Sequence, residues 1–116
     1  MTVVEDLFFL AKIQQTAQQV GVTTQAASPA SAAQDIAQVQ PQAVILDLNH
    51  RSISALDLVR ALKADPTTRS IPIVGFVSHV QADRVSAARA AGCDQVMARS
   101  AFTQQLPELL RKLARA

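Results

Sequence analysis

The chain has 116 residues, 49% of them hydrophobic, which suits one domain with a buried core and excludes a disordered polymer. Eleven Lys and Arg against nine Asp and Glu leave a formal charge of +2, and with no Trp, no Tyr and four Phe there is little to stack on bases, so no nucleic-acid partner is expected. A single cysteine precludes an intramolecular disulfide and fits a reducing compartment, and neither a signal peptide nor a membrane span is legible, so a cytoplasmic chain with no membrane partner is expected.

Residues 2–4 form a short β-branched run. The period then changes: Leu7, Leu10, Ile13, Ala17 and Val20 recur at helical spacing with glutamines between them, Asp6 is placed to cap the helix and Gly21 to stop it. Residues 22–26 read as a second, weaker strand. Ser28 followed by Pro29 opens another helix, which turns Ala32, Ile36 and Val39 inward and stops at Pro41. Residues 43–48 read A-V-I-L-D-L, a continuous apolar run of the kind that a strand covered on both faces requires. Ser54, with Asp57 three residues on, resembles a capping box for a helix that ends at Asp65-Pro66.

A further apolar run, 71–77, is the fourth strand, with Pro72 near its start where a missing N–H is tolerated. An Ala-rich helix over 81–91 stops at Gly92, and residues 95–98 make a short last strand. Thr103 is read as the cap of a final helix that carries Leu106, Leu109, Leu110 and Leu113 on one side, with Pro107 near its first turn.

Five strand–helix units in one domain, residues 1–116, imply a parallel α/β sheet with right-handed crossovers. In such a sheet ligands meet the carboxyl ends of the strands. The residues to watch are therefore Glu5 and Asp6, Asp47 and Asn49, Val77 to His79, and Arg99.

The segments P-Q-A-V-I-L-D-L-N (41–49), A-L-D-L-V-R-A-L-K-A-D-P (55–66), I-P-I-V (71–74) and A-A-G-C-D (90–94) together resemble a response-regulator receiver domain over nearly the whole chain. The resemblance implies a flavodoxin-like, doubly wound five-stranded parallel sheet of order 2-1-3-4-5, with five helices on two faces and the runs 44–46 and 73–77 as central strands. It implies a phosphoacceptor at Asp47 and a Mg²⁺ site built from Glu5, Asp6, Asp47 and the backbone of Asn49. Arg99 stands where that family has a phosphate-contacting Lys. Apart from the family, phosphoryl transfer needs a nucleophilic oxygen, a cation held by carboxylates and a positive group for developing charge, and these residue types supply them. Arg99 is expected within ion-pairing reach of Asp47.

The departures from the family are as specific as the matches. The hydroxyl expected at the end of strand four is replaced by Val77, and Ser78, one place on, is with Arg99 the candidate phosphate contact. The Lys-Pro pair becomes Arg99-Ser100. The aromatic switch residue of strand five is replaced by Val96 or Met97. These two residues and Leu106 are the candidate partner surface, expected to be preset in one state rather than switched by phosphate.

His50, His79 and Cys93 carry no assigned role; the cysteine is expected in the core. Of the adjacent Phe8 and Phe9, one should be buried and the other exposed. The reading that follows is a stand-alone, atypical receiver domain in two-component phosphorelay signalling. It is not an enzyme beyond self-phosphorylation at Asp47, and it acts on a protein partner: a histidine kinase, a downstream signalling protein or a second copy. The alternative is a phosphorylation-independent pseudo-receiver for interaction or dimerisation. A flavodoxin-like ligand-binding domain or enzyme is weaker still, because V-V-E-D-L-F-F offers no Gly-rich phosphate loop.

Overall fold

The computed structural model describes residues 1–50, 53–78 and 82–115. Four parallel strands, β1 (Thr2–Val3), β2 (Val44–Asp47), β3 (Ile73–Val77) and β4 (Gln95–Ala98), form one sheet of order β1-β2-β3-β4. The helices are α1 (Leu7–Gln19), α2 (Ala32–Val39, preceded by a 3-10 turn at Pro29–Ser31), α3 (Ala55–Ala64), α4 (Ala82–Ala91) and α5 (Arg99–Arg115).

The side-chain alternation of the strands sorts the core into two halves. Val44, Leu46, Ile73 and Val77 face α2, α3 and α4, meeting Ile36, Leu58, Val59, Leu62 and Ala88. Ile45, Val74, Phe76 and Met97 face α1 and α5, meeting Phe9, Ile13, Ala17, Phe102 and Leu106. Every residue of β2 and β3 is buried, as the continuous apolar runs predict for strands covered on both faces. Gly75 leaves room for Leu48 above β3: a Cβ there would come within 2.8 Å of the Leu48 Cδ1.

The expected five-stranded sheet of order 2-1-3-4-5 is corrected to four strands in the order given. Residues 22–26 contribute a single parallel bridge, Ala26 to Thr2, held by Thr2 N–H on the Gln25 carbonyl and Ala27 N–H on the Thr2 carbonyl. The reason is burial. Residues 21, 23, 25 and 26 are exposed, so this segment has too little apolar surface to pack, and β1 beside it is two residues long.

Four local expectations also change. Helix α5 starts at Arg99, directly on the end of β4, so Thr103 lies inside it and donates its hydroxyl to the Arg99 carbonyl four residues back. Pro107 is therefore interior to the helix rather than near its first turn. Leu7 is 75% exposed, and Phe9 takes the inward place. Ser28 caps nothing with its side chain; its backbone N–H instead donates to the Asp35 carboxylate, which also accepts from the Ser31 hydroxyl. The other caps are as read. Asp6 accepts from Phe8 and Phe9 N–H, Ser54 Oγ accepts from Asp57 N–H at 3.3 Å, and Gly21 follows α1 with φ +76°.

Candidate functional site

The carboxyl edge of the sheet collects the polar residues. Asp47, the last residue of β2, is buried, and its Oδ1 accepts the Asn49 N–H at 2.9 Å. The Asn49 side-chain carbonyl accepts the Ser78 N–H at 2.7 Å, which ties the turn after β2 to the turn after β3. Arg84, in the first turn of α4, crosses over to donate to the Leu48 carbonyl at 2.9 Å. Neither latch is legible from spacing. The one sequence signal for Arg84 is a cation in a helix first turn, where the dipole disfavours it.

Arg99 is not on Asp47, and that expectation is corrected. Its Nη2 donates to Asp6 Oδ2 at 2.9 Å, and its guanidinium lies 4.0 Å above the Phe9 ring. The cause is the layering. Helix α5 begins at Arg99 and packs on the same face as α1, so the α1 cap and the first buried ring of α1 are its nearest neighbours. A flat guanidinium gains from both a carboxylate edge and a π face.

Asp6 thus uses both oxygens, Oδ1 for the cap and Oδ2 for Arg99. The Arg99 hydrogen bond first, then the capping N–H of Phe9, holds its carboxyl below the ordinary value of 3.8. A carboxylate depressed by folding stabilises the fold above its unfolded pKa, and that contribution is lost as pH falls through the folded value. Asp6→Asn keeps an oxygen for the cap but has no charge to lose. The denaturant midpoint of the wild type should therefore fall more steeply below about pH 4 than that of Asp6→Asn; parallel acid limbs would refute the linkage.

Glu5 is half-buried and lines one cavity with Val4, Leu7, Leu10 and the buried His50. Among the described residues no three His, Cys, Asp or Glu side chains gather as a metal-ligand group, so Glu5, Asp6 and Asp47 are not brought together as one set. His79 and Arg51 lie outside the described residues. Val77 is buried and has no hydroxyl to offer, while Ser78 is exposed.

The expected partner surface is also corrected. Met97 and Leu106 are buried between the sheet and α5, and Val96 is half-buried against the opposite core. Phe8 is the most exposed large apolar residue among those described, at 91%, two residues from Arg99's carboxylate partner. Cys93 is in the core as expected, and burial pushes its thiol pKa up, away from reactivity.

Solved structures align with the chain almost end to end. The signal receiver domain of a DNA-binding response regulator from Colwellia psychrerythraea 34H is 19% identical, with TM-score 0.87, over 99% of this chain and 96% of that one. The fold is that of a response-regulator receiver domain. A putative response regulator from Chloroflexus aurantiacus J-10-fl gives 21% identity and TM-score 0.86 over 99% and 95%. The Mn²⁺-bound form of response regulator Rcp1 gives 17% and 0.74 over 97% and 88%. No family model matches the sequence, and no curated protein does. Asp47 ends β2, and Arg99 follows β4, two strands away. No helix among the described residues is long and apolar enough to cross a membrane.

Proposed function

We propose that this chain is an atypical response-regulator receiver domain that works in two-component signalling by binding a protein partner. Its partner-binding state is preset rather than driven by phosphate on Asp47. The observation that carries this reading is the Arg99–Asp6 pair: the cation expected at a phosphoryl group and an acid expected at its metal are spent on each other. The Asn49–Ser78 bond supports the same reading, because the turn that a phosphoryl group would have to draw in is already tied to the Asp47 turn. With Val77 in place of a hydroxyl, a phosphate would have little differential affinity for two states of that turn, and a ligand shifts an equilibrium only by that difference.

The ordinary reading, a phosphorelay receiver with Asp47 as acceptor and Mg²⁺ as cofactor, has its own support in Asp47, a buried carboxylate at the right strand end. Intact mass after incubation with acetyl phosphate and Mg²⁺ separates the two. The preset reading expects an unchanged mass. A gain of one phosphoryl group, abolished by Asp47→Asn, would return the chain to the ordinary class.

The Mg²⁺ set does not fit this arrangement. Both Asp6 oxygens are already engaged by hydrogen bonds, and among the described residues the carboxylates do not gather as a ligand group.

A further inference from the structure

The geometry points to a binding site for a small neutral molecule, a single ring or short alkyl chain carrying a hydroxyl, at the amino-terminal edge of the sheet. This site lies apart from Asp47 and goes beyond the proposed function.

A cavity of about 210 Å³ sits between β1, residues 22–25 and the last turns of α5. It touches Ala43, just before β2, whereas Asp47 ends that strand. Ile45, Leu110 and Leu113 form its apolar wall and belong to the half-core that faces α1 and α5. Thr23, Thr24 and Gln25 form another wall, where the chain joins β1 only by the single bridge at Ala26. An apolar cavity of about 150 Å³ accepts benzene, so this one has room for a ring with a short substituent.

Thr2 supplies the polar contact. It is 1% exposed, lines the cavity and stands in register with Ile45, so the two side chains share the face that the cavity occupies. Val3 beside it belongs to the opposite half-core, as strand alternation requires. The backbone of Thr2 is satisfied: its N–H donates to the Gln25 carbonyl and its carbonyl accepts from the Ala27 N–H. Its hydroxyl has no hydrogen-bond partner, and no other buried side-chain nitrogen or oxygen among the described residues is in that condition. A buried hydroxyl left unpaired is destabilising, and a ligand oxygen that pairs with it removes the penalty.

The lining also sets the charge of the ligand. No charged side chain among the described residues borders the cavity. The amino group of Met1 is already engaged: it donates to the Ala43 carbonyl at 2.8 Å, and burial pushes its pKa below the ordinary value of 8.0. An ionised ligand would give up its hydration to walls that return little for it.

The test is titration of the whole chain with benzyl alcohol, toluene and benzoate, read from amide and methyl chemical shifts. Benzyl alcohol should bind saturably, with its largest shifts at Thr2, Ile45, Leu110 and Leu113, and should raise the urea midpoint. Thr2→Val keeps the shape of the side chain and removes the hydroxyl. It should weaken benzyl alcohol about tenfold, the scale of one buried hydrogen bond, and leave toluene within about twofold. Without ligand it should raise the urea midpoint, because the hydroxyl it removes is unpaired. Benzoate should bind at least about tenfold more weakly than benzyl alcohol. Ala43→Leu should abolish uptake, because Ala43 is buried against the cavity and a larger side chain there occupies it.

The absence of saturable shifts with benzyl alcohol overturns the inference, as do shifts centred away from the lining. Equal effects of Thr2→Val on the alcohol and the hydrocarbon overturn it too, and so does a Thr2→Val chain less stable than the wild type. Benzoate binding as tightly as the alcohol overturns the neutral class of ligand. If Ala43→Leu does not fold, Leu113→Trp on the α5 wall makes the same measurement. Uptake unchanged in the folded variant puts the probe elsewhere and overturns the site.

Discussion

Phe76→Ala should lower the unfolding free energy by about 3–5 kcal/mol, the range for a buried aromatic truncated in a core that cannot collapse. Phe76 is 1% exposed in the central strand β3, with its ring 5.0 Å from Phe9 and 5.1 Å from Phe102. These three of the chain's four Phe form the whole aromatic centre of the α1/α5 half. Removing the middle ring leaves a cavity bounded by a strand on one side and two helices on the other, none of which can move inward without breaking ladder or packing contacts. The urea midpoint measures the loss. Because Phe9 loses its support, the Arg99 amide and guanidinium resonances should shift as well. A loss below about 1.5 kcal/mol would mean that the half-core relaxes around the gap.

Asp94→Ala should cost about 1–3 kcal/mol, the range for a buried donor left without its acceptor. Asp94 Oδ2 accepts the Ile73 N–H at 2.7 Å and the Lys63 ammonium at 2.9 Å, while Lys63 also donates to the Arg69 and Ile71 carbonyls. One carboxylate oxygen therefore holds the start of β3, the end of α3 and the entry to β4 at the amino-terminal edge of the sheet. The ion pair itself adds little, because Asp94 is half-exposed and water screens it; the Ile73 N–H is the group that suffers. Asp94→Asn, which keeps an oxygen acceptor, should recover most of the loss. Equal destabilisation by both substitutions would place the energy in the charge instead. Gly92 belongs to the same device: its φ of +115° suits glycine, and a Cβ there would meet the Lys63 Cγ at 2.8 Å, so glycine lets the lysine stem pass.

Much of this architecture is legible in local pattern. The A-V-I-L-D-L and I-P-I-V runs announce strands buried on both faces, and β2 and β3 are those strands. The Asp6 and Ser54 caps are where their residue types suggest, because a cap needs only a short polar side chain and the next turn of helix. Asp47 at the carboxyl end of a central strand follows from the length of its apolar run. The exposure of one of two adjacent phenylalanines follows from helical geometry, since neighbours point apart. Each of these depends on residues within about one turn of each other.

What required the tertiary structure was every choice among distant partners. Strand-like residues 22–26 shrink to one bridge because a strand exists only if something covers it, and here only Val22 packs against apolar neighbours while residues 23, 25 and 26 are exposed. The β4 strand runs straight into α5, which makes Thr103 interior and turns Arg99 from a loop residue into a helix start. Arg99 then had two acids within the same edge to choose from. The sequence placed it near both; the packing of α5 beside α1 set it over Phe9 and against Asp6. Asn49 reaching Ser78 and Arg84 of α4 reaching Leu48 are likewise contacts that only the pairing of β2 beside β3 brings together. Periodicity and capping are short-range and leave their mark on the chain. A pairing across 93 positions of sequence is decided by which faces are packed together, and so by the sheet and its two helical layers.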